Sequence, residues 1–208
     1  MANPAIMEIL FSIIVIIFSI IIHEISHGWA AYALGDPTAK LAGRLTLNPL
    51  SHLDPIGSFI VPFLTYSMLG GLIFGWAKPV PYNPYNLRAG KWGPALVAIA
   101  GPVSNLFLAA IFSLIIRLTM GVAPVAFIQL SIMIVLINLG LALFNLIPVP
   151  PLDGSKILFA LIPYRYRQIE EILTRYQLLW IIVVIYAIAP LLGPLIGFLF
   201  SFLTGFPI

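Results

Sequence analysis

Two histidines four residues apart flank an acid in the run His23-Glu24-Ile25-Ser26-His27. On an α-helix, positions i and i+4 project from one face about one turn apart. Imidazoles so placed can share one divalent cation, each at roughly 2.0–2.1 Å from a zinc ion. Glu24 stands beside the first of them, where a carboxylate can take a proton from a water that the metal activates. The chemistry this pattern suits is metal-assisted hydrolysis. Its setting sharpens the reading, because the stretch before it, Ile9 to Ile22, carries no charged residue. An unpartnered ionisable group at membrane depth costs about 3 kcal/mol on insertion scales. Binding a metal removes that cost for both histidines. The plainer alternative is a cluster facing water at a helix end, about 25 Å from Ile6 at the helical rise.

A catalytic zinc takes three protein ligands and keeps a fourth position open. Asp36, His52, Asp54 and Asp153 are the candidates for the third. Asp36, in Gly35-Asp36-Pro37, suits a capping turn. His52 and Asp54 lie in a polar connection, where solvation accounts for them. Asp153 is the one acid between Asp54 and Glu170 and follows Pro148-Val149-Pro150-Pro151 between two apolar segments. An acid there needs a cation, so the residues favour Asp153, with His52 next.

Elements of unusual composition must position these groups. Of 208 residues, 61% are hydrophobic and 8% charged, against about a quarter charged in a soluble domain. That balance excludes a soluble globular domain, a disordered chain and a collagen-like one. The net charge of +3 is small and sits in loops, so no nucleic-acid partner is expected. With no cysteine, disulfides, thiolate metal sites and a cysteine nucleophile are ruled out. No Lys or Arg precedes the first apolar run and an ionisable cluster follows it, so a cleaved signal peptide is not expected.

At roughly 20 residues per crossing, the chain reads as an all-α integral membrane protein of five to six transmembrane or re-entrant helices. Apolar segments run over about 6–34, 56–74, 95–119, 125–147 and 178–206. Pro62 and Gly70-Gly71 make the second a poor straight helix, able to cross or to dip in and return. A short extended or β stretch is expected over Ala39 to Leu47, after the first helix. The charge-dense stretch of about 164–176 reads as an amphipathic surface helix, and 178–206 as a C-terminal hydrophobic hairpin or helix. No repeat or second domain is visible, so residues 1–208 read as a single polytopic domain. Asn138 reads as an interhelical hydrogen-bonding residue, and Ser104 and Asn105 as packing and polar glue between helices.

Further motifs extend the pattern. Asn145-Leu146-Ile147-Pro148-Val149-Pro150-Pro151-Leu152-Asp153-Gly154, taken with His23-Glu24-x-x-His27 in a first membrane helix, resembles the site-2 protease family of intramembrane zinc metalloproteases (peptidase family M50). Gly43-Arg44-Leu45-Thr46-Leu47-Asn48-Pro49, His52-Leu53-Asp54-Pro55-Ile56-Gly57, Lys78-Pro79-Val80-Pro81-Tyr82-Asn83-Pro84 and Ala100-Gly101-Pro102-Val103-Ser104-Asn105 fit its compact bacterial and archaeal branch. Together these motifs cover most of residues 20–160. No PDZ or CBS domain is recognisable.

The resemblance implies one Zn²⁺ per chain on His23, His27 and Asp153, with Glu24 as catalytic acid/base. It places Asn145 close to the active site, binding substrate backbone or steadying an oxyanion. His52 is a further candidate for substrate contact. The implied activity is hydrolysis of transmembrane protein or peptide substrates within or near the lipid bilayer, by a multi-pass protein of the cell membrane. A substrate helix must first surrender its hydrogen bonds. Pairing with an exposed edge, for which Arg44–Asn48 is the candidate, is one way to hold it extended. The alternative is a non-proteolytic metal-binding membrane protein such as a transporter or scaffold. A transporter would be expected to show inverted repeats.

Overall fold

A computed structural model describes residues 4–61, 63, 67 and 77–207. Helix α1 (Pro4–Ala33) runs through the first apolar segment without a break. It ends where Gly35 takes a left-handed turn, φ 107°, and Pro37 bars further helix. A single helical turn, α2 (Thr38–Leu41), follows. Helix α3 (Gly93–Thr119) opens with Pro94 in its first turn, where a missing N–H costs nothing. Helix α4 (Val125–Asn145) stops at the proline-rich loop, and α5 (Gly154–Leu161) starts immediately beyond Asp153. A 3₁₀ turn at Tyr164–Tyr166 leads into α6 (Arg167–Arg175). The chain then continues through α7 (Gln177–Val183), a π turn at Val184–Ile188, and α8 (Ala189–Thr204).

The described residues are helical or irregular throughout, with no strand. The extended stretch expected over 39–47 is therefore not present as such. Its first residues form α2, because Asp36 caps them through Thr38 N and Oγ1. Arg44, proposed as the start of a free edge, is buried instead, and its Nη2 donates to the Lys78 carbonyl at 2.7 Å.

Among the described residues, three helices are long and apolar enough to cross a membrane: Ile6–Ala33, Gly90–Thr119 and Val125–Asn145. The pair Tyr164–Arg175 and Gln177–Ile188 makes a fourth if it is one span broken by its 75° bend. The last apolar run does not form one crossing helix, since it divides at Pro190 and Pro190–Thr204 is short, with Pro194 inside it. The expected segment 56–74 lies mostly outside the described residues, of which Ile56–Ile60 forms a π turn.

Helix α3 is the centre of the bundle, packing against α1, α4, α5 and α8. Its buried face is small: Ala98, Gly101, Ala109 and Ser113. Small residues let helix backbones approach closely where lipid supplies no hydrophobic drive for association. Around Ala109 and Ile116 gather Val135 and Leu139 of α4 and Phe200 of α8. The outer face of α1 stays apolar and uncovered, with Ile9 59% and Ile14 52% exposed, as a lipid-facing surface requires.

Beyond the membrane helices, Asp36 ties the end of α1 to the loop before α3. It is fully buried and accepts from Thr38 N and Oγ1, from Asn83 N at 2.6 Å and from Asn86 Nδ2 at 2.8 Å. Burial alone would raise its pKa, but these bonds to the charged form outweigh it and hold the carboxyl below its ordinary value. The resulting stability is fully present above the unfolded carboxyl pKa of about 3.9 and is lost as pH falls through the lower folded value. Replacing Asp36 by Ala leaves four donors unmet and should cost about 2 kcal/mol at neutral pH. Thermal unfolding in detergent should show that deficit, together with a weaker loss of stability below pH 4 than the wild type has.

Candidate metal centre

The i, i+4 spacing on α1 brings His23 and His27 edge to face, with ring centroids 4.6 Å apart. From the far side of the bundle, the loop after α4 delivers Asp153. Its Oδ2 lies 3.0 Å from His23 Nε2 and 3.2 Å from His27 Nε2. That loop is held tightly shut. A Cβ at Gly154 would overlap the carbonyl oxygens of Leu146 and Ile147, so only glycine lets the chain fold back on the end of α4.

Which imidazole nitrogens carry protons follows from partners that cannot change roles. His27 Nδ1 faces the Val97 carbonyl at 2.8 Å, and a carbonyl only accepts, so Nδ1 holds the proton. His23 Nδ1 faces Asn105 Oδ1 at 2.6 Å. In neutral rings both Nε2 atoms then present lone pairs toward the Asp153 carboxylate. Three acceptors pointing at one another repel unless a cation lies among them. Ligand atoms around a tetrahedral zinc stand about 3.3 Å apart at ordinary bond lengths. The distances to Asp153 fit that value, and two imidazole nitrogens with one carboxylate oxygen form a donor set that zinc accepts.

Helix α3 frames the centre with one face. Val97, Gly101 and Asn105 are spaced four apart, so they line up along it. The outer two receive the Nδ1 protons of His27 and His23, and the middle one leaves room between them. A Cβ on Gly101 would stand 2.5 Å from both Nε2 atoms. Glu24, on the turn between the histidines, accepts from Val80 N at 2.9 Å through Oε2.

Comparison with known proteins agrees with this chemistry. The family model described as peptidase family M50 matches residues 121–189. A protein of Bacillus subtilis named as a candidate zinc metalloprotease, YwhC, is 42% identical over 158 residues, covering 73% of this chain and 68% of its own. The chain belongs to peptidase family M50, the site-2 protease family of zinc metalloproteases. Relatives named as candidate zinc metalloprotease Rip2 occur in Mycobacterium tuberculosis, 32% identical over 67% of this chain, and in Mycolicibacterium smegmatis, 29% identical over 85%. The match spans 52% and 66% of those two proteins. No solved structure matches.

Against the expectations for this M50 chain, the structure gathers His23, His27 and Asp153 into one group whose ligand atoms lie within 4.8 Å of one another. Asp36 joins the capping network described above. His52 is buried in the loop before residue 56, where Nε2 donates to the Thr46 carbonyl at 2.8 Å and its own carbonyl accepts from Lys78 N. Asn145 is half-buried on the last turn of α4 and donates Nδ2 to the Leu141 carbonyl at 2.9 Å.

In the sequence Asn105 reads as a packing residue, and Val97, Gly101 and Val80 are not marked as neighbours of the site. The one local signal for Val97, Gly101 and Asn105 is the i, i+4, i+8 spacing along α3, and it means nothing until α1 is known to lie against that face; Val80, in the loop before α3, has no such signal.

Gly101→Ala tests this geometry. The added methyl must displace both imidazoles by about 1 Å to regain van der Waals distance. Zinc affinity of the purified protein should fall about tenfold or more, with helical content unchanged. A fully loaded Gly101→Ala protein would contradict the close approach of α3 to the histidines.

Proposed function

We propose that this M50 chain is a zinc endopeptidase that hydrolyses peptide bonds of transmembrane substrates within or near the bilayer, with His23, His27 and Asp153 as metal ligands and Glu24 as acid/base. The observation that carries the reading is the convergence of two imidazole lone pairs and a carboxylate oxygen beside a glycine gap. Bound zinc would supply Lewis-acid polarisation of the scissile carbonyl and lower the pKa of water toward about 7.

Glu24 accepts the proton of the attacking water and returns it to the leaving amine. The Val80 N–H holds its Oε2, so the carboxylate has a fixed orientation before substrate arrives. Asp153 has the most exposed side chain of the ligand set, 21% against 8% and 12% for the histidines, so substrate and water approach from its side. Asn145, at the base of the loop carrying Asp153, is assigned to hold the substrate backbone or the developing oxyanion. Its bond to the carbonyl of Leu141, one turn back on its own helix, is readily exchanged for a substrate contact. For His52, burial and the bond to Thr46 support a strut that holds the loop rather than a ligand.

The same reading takes residues 1–208 as one polytopic domain of the cell membrane. The packing of α3 against four other helices supports a single unit.

Purified protein in detergent, assayed on a transmembrane peptide, tests the assignment. Glu24→Gln should keep zinc and lose cleavage by about 10²–10⁴-fold, the usual contribution of a positioned acid/base. Asp153→Ala should lose zinc, and His52→Ala should retain it. Equal cleavage by wild type and Glu24→Gln would remove Glu24 from the mechanism. Zinc retained by Asp153→Ala would remove Asp153 from the ligand set.

A further inference from the structure

Asn105 and Asn138 are fully buried between the membrane helices, and the bonds they make have a fixed direction. The Ile134 carbonyl can only accept, so Asn138 turns its Nδ2 to it at 2.9 Å and its Oδ1 the other way. The Ser19 carbonyl can only accept, so Asn105 turns its Nδ2 toward α1 at 3.3 Å, and the same group reaches Asn138 Oδ1 at 2.8 Å. Asn105 Oδ1 is thereby left facing His23 Nδ1 at 2.6 Å. Rotating the Asn105 amide would set an oxygen against two oxygens and an N–H against the imidazole N–H. Rotating Asn138 would set amide nitrogen against amide nitrogen, and oxygen against the Ile134 carbonyl.

We infer that Asn105, oriented by Asn138, is a positioning residue of the metal centre: it holds the proton of His23 on Nδ1 and aims the Nε2 lone pair at the metal position. This rests on the ligand assignment of the preceding subsection. His27 receives the same service from a backbone carbonyl, Val97, which no side-chain substitution removes. Two turns along the same face of α3 the acceptor is a side chain, so this half of the centre depends on residue identity. A carboxamide used only to join helices would need no particular direction. Here the direction runs without conflict from the Ile134 carbonyl through two amides to an imidazole lone pair.

The test uses the full chain in detergent, with zinc affinity measured by competition with a chromophoric chelator and geometry read from the visible bands of the cobalt-substituted protein. Asn105→Leu should weaken zinc about 10–100-fold, the usual effect of removing a partner behind a metal-binding histidine, and should shift the cobalt bands. Its far-ultraviolet circular dichroism should stay that of wild type. A folded Asn105→Leu with wild-type affinity and wild-type cobalt bands would reduce the residue to interhelical packing and overturn the inference. If Asn105→Leu does not fold, Asn138→Ala decides. Weaker zinc with shifted bands supports the relay, and wild-type values overturn it. Zinc that is bound by wild type, lost in His23→Ala and unaffected in Asn105→Leu defeats only this inference. Zinc absent from wild type, or retained in His23→Ala, defeats the ligand assignment as well.

Discussion

Three electron-rich atoms point at one spot inside an apolar bundle: Nε2 of His23, Nε2 of His27 and Oδ2 of Asp153. In water such an arrangement would fall apart, each lone pair taking its own hydrogen bond. Among membrane helices, unpaired polar groups are expensive, and electrostatic forces are little screened. The arrangement persists because each group is held from behind. The histidines are tethered at Nδ1 by α3, and Asp153 is carried on a loop that glycine allows to close. The rest of the molecule can be understood as what it takes to keep mutually repelling acceptors aimed at a point that a cation suits.

Helix α3 bears most of that task. One face supplies an acceptor for each histidine with a glycine between them, and the same helix packs against α4, α5 and α8. Closeness on one side and rigidity on the other have one cause. A helix lined with Ala98, Gly101, Ala109 and Ser113 approaches its neighbours closely, and close packing leaves side chains few alternative rotamers. Had α3 carried leucines at these positions, the bundle would be equally apolar, but the carbonyl of Val97 and the amide of Asn105 would stand too far from the imidazoles.

Outside the bundle, a second polar junction fixes the loops. Asp36 binds the segment of Asn83 and Asn86, and Arg44 and His52 bind Lys78. The backbone between these anchors includes Val80, whose N–H reaches Glu24. Pro79 and Pro81 have no N–H, so Val80 is the one donor in that tripeptide. The Glu24 carboxylate, the proposed acid/base, is therefore oriented by a loop that is itself pinned by buried charge, which links residues far from the proposed metal position to it.

Three of the apolar runs as helices, the histidine pair one turn apart and the isolated acid after three prolines are legible in the chain, because each depends on local spacing or on the cost of an unpaired charge in lipid. The short extended or β stretch expected after α1 is not formed as a strand, and its first residues are helical because a local capping interaction at Asp36 outweighs a weak extended preference. The helix count stays open because a 75° bend precedes the last apolar run and Pro190 divides it. What tertiary structure alone decided is which polar residues serve the site. Asn105 and Asn138 look like ordinary interhelical amides in sequence, and Gly101 like a simple packing position. Their roles come from the face of α3 that meets α1, and no single-helix periodicity encodes which face of one apolar helix will meet another.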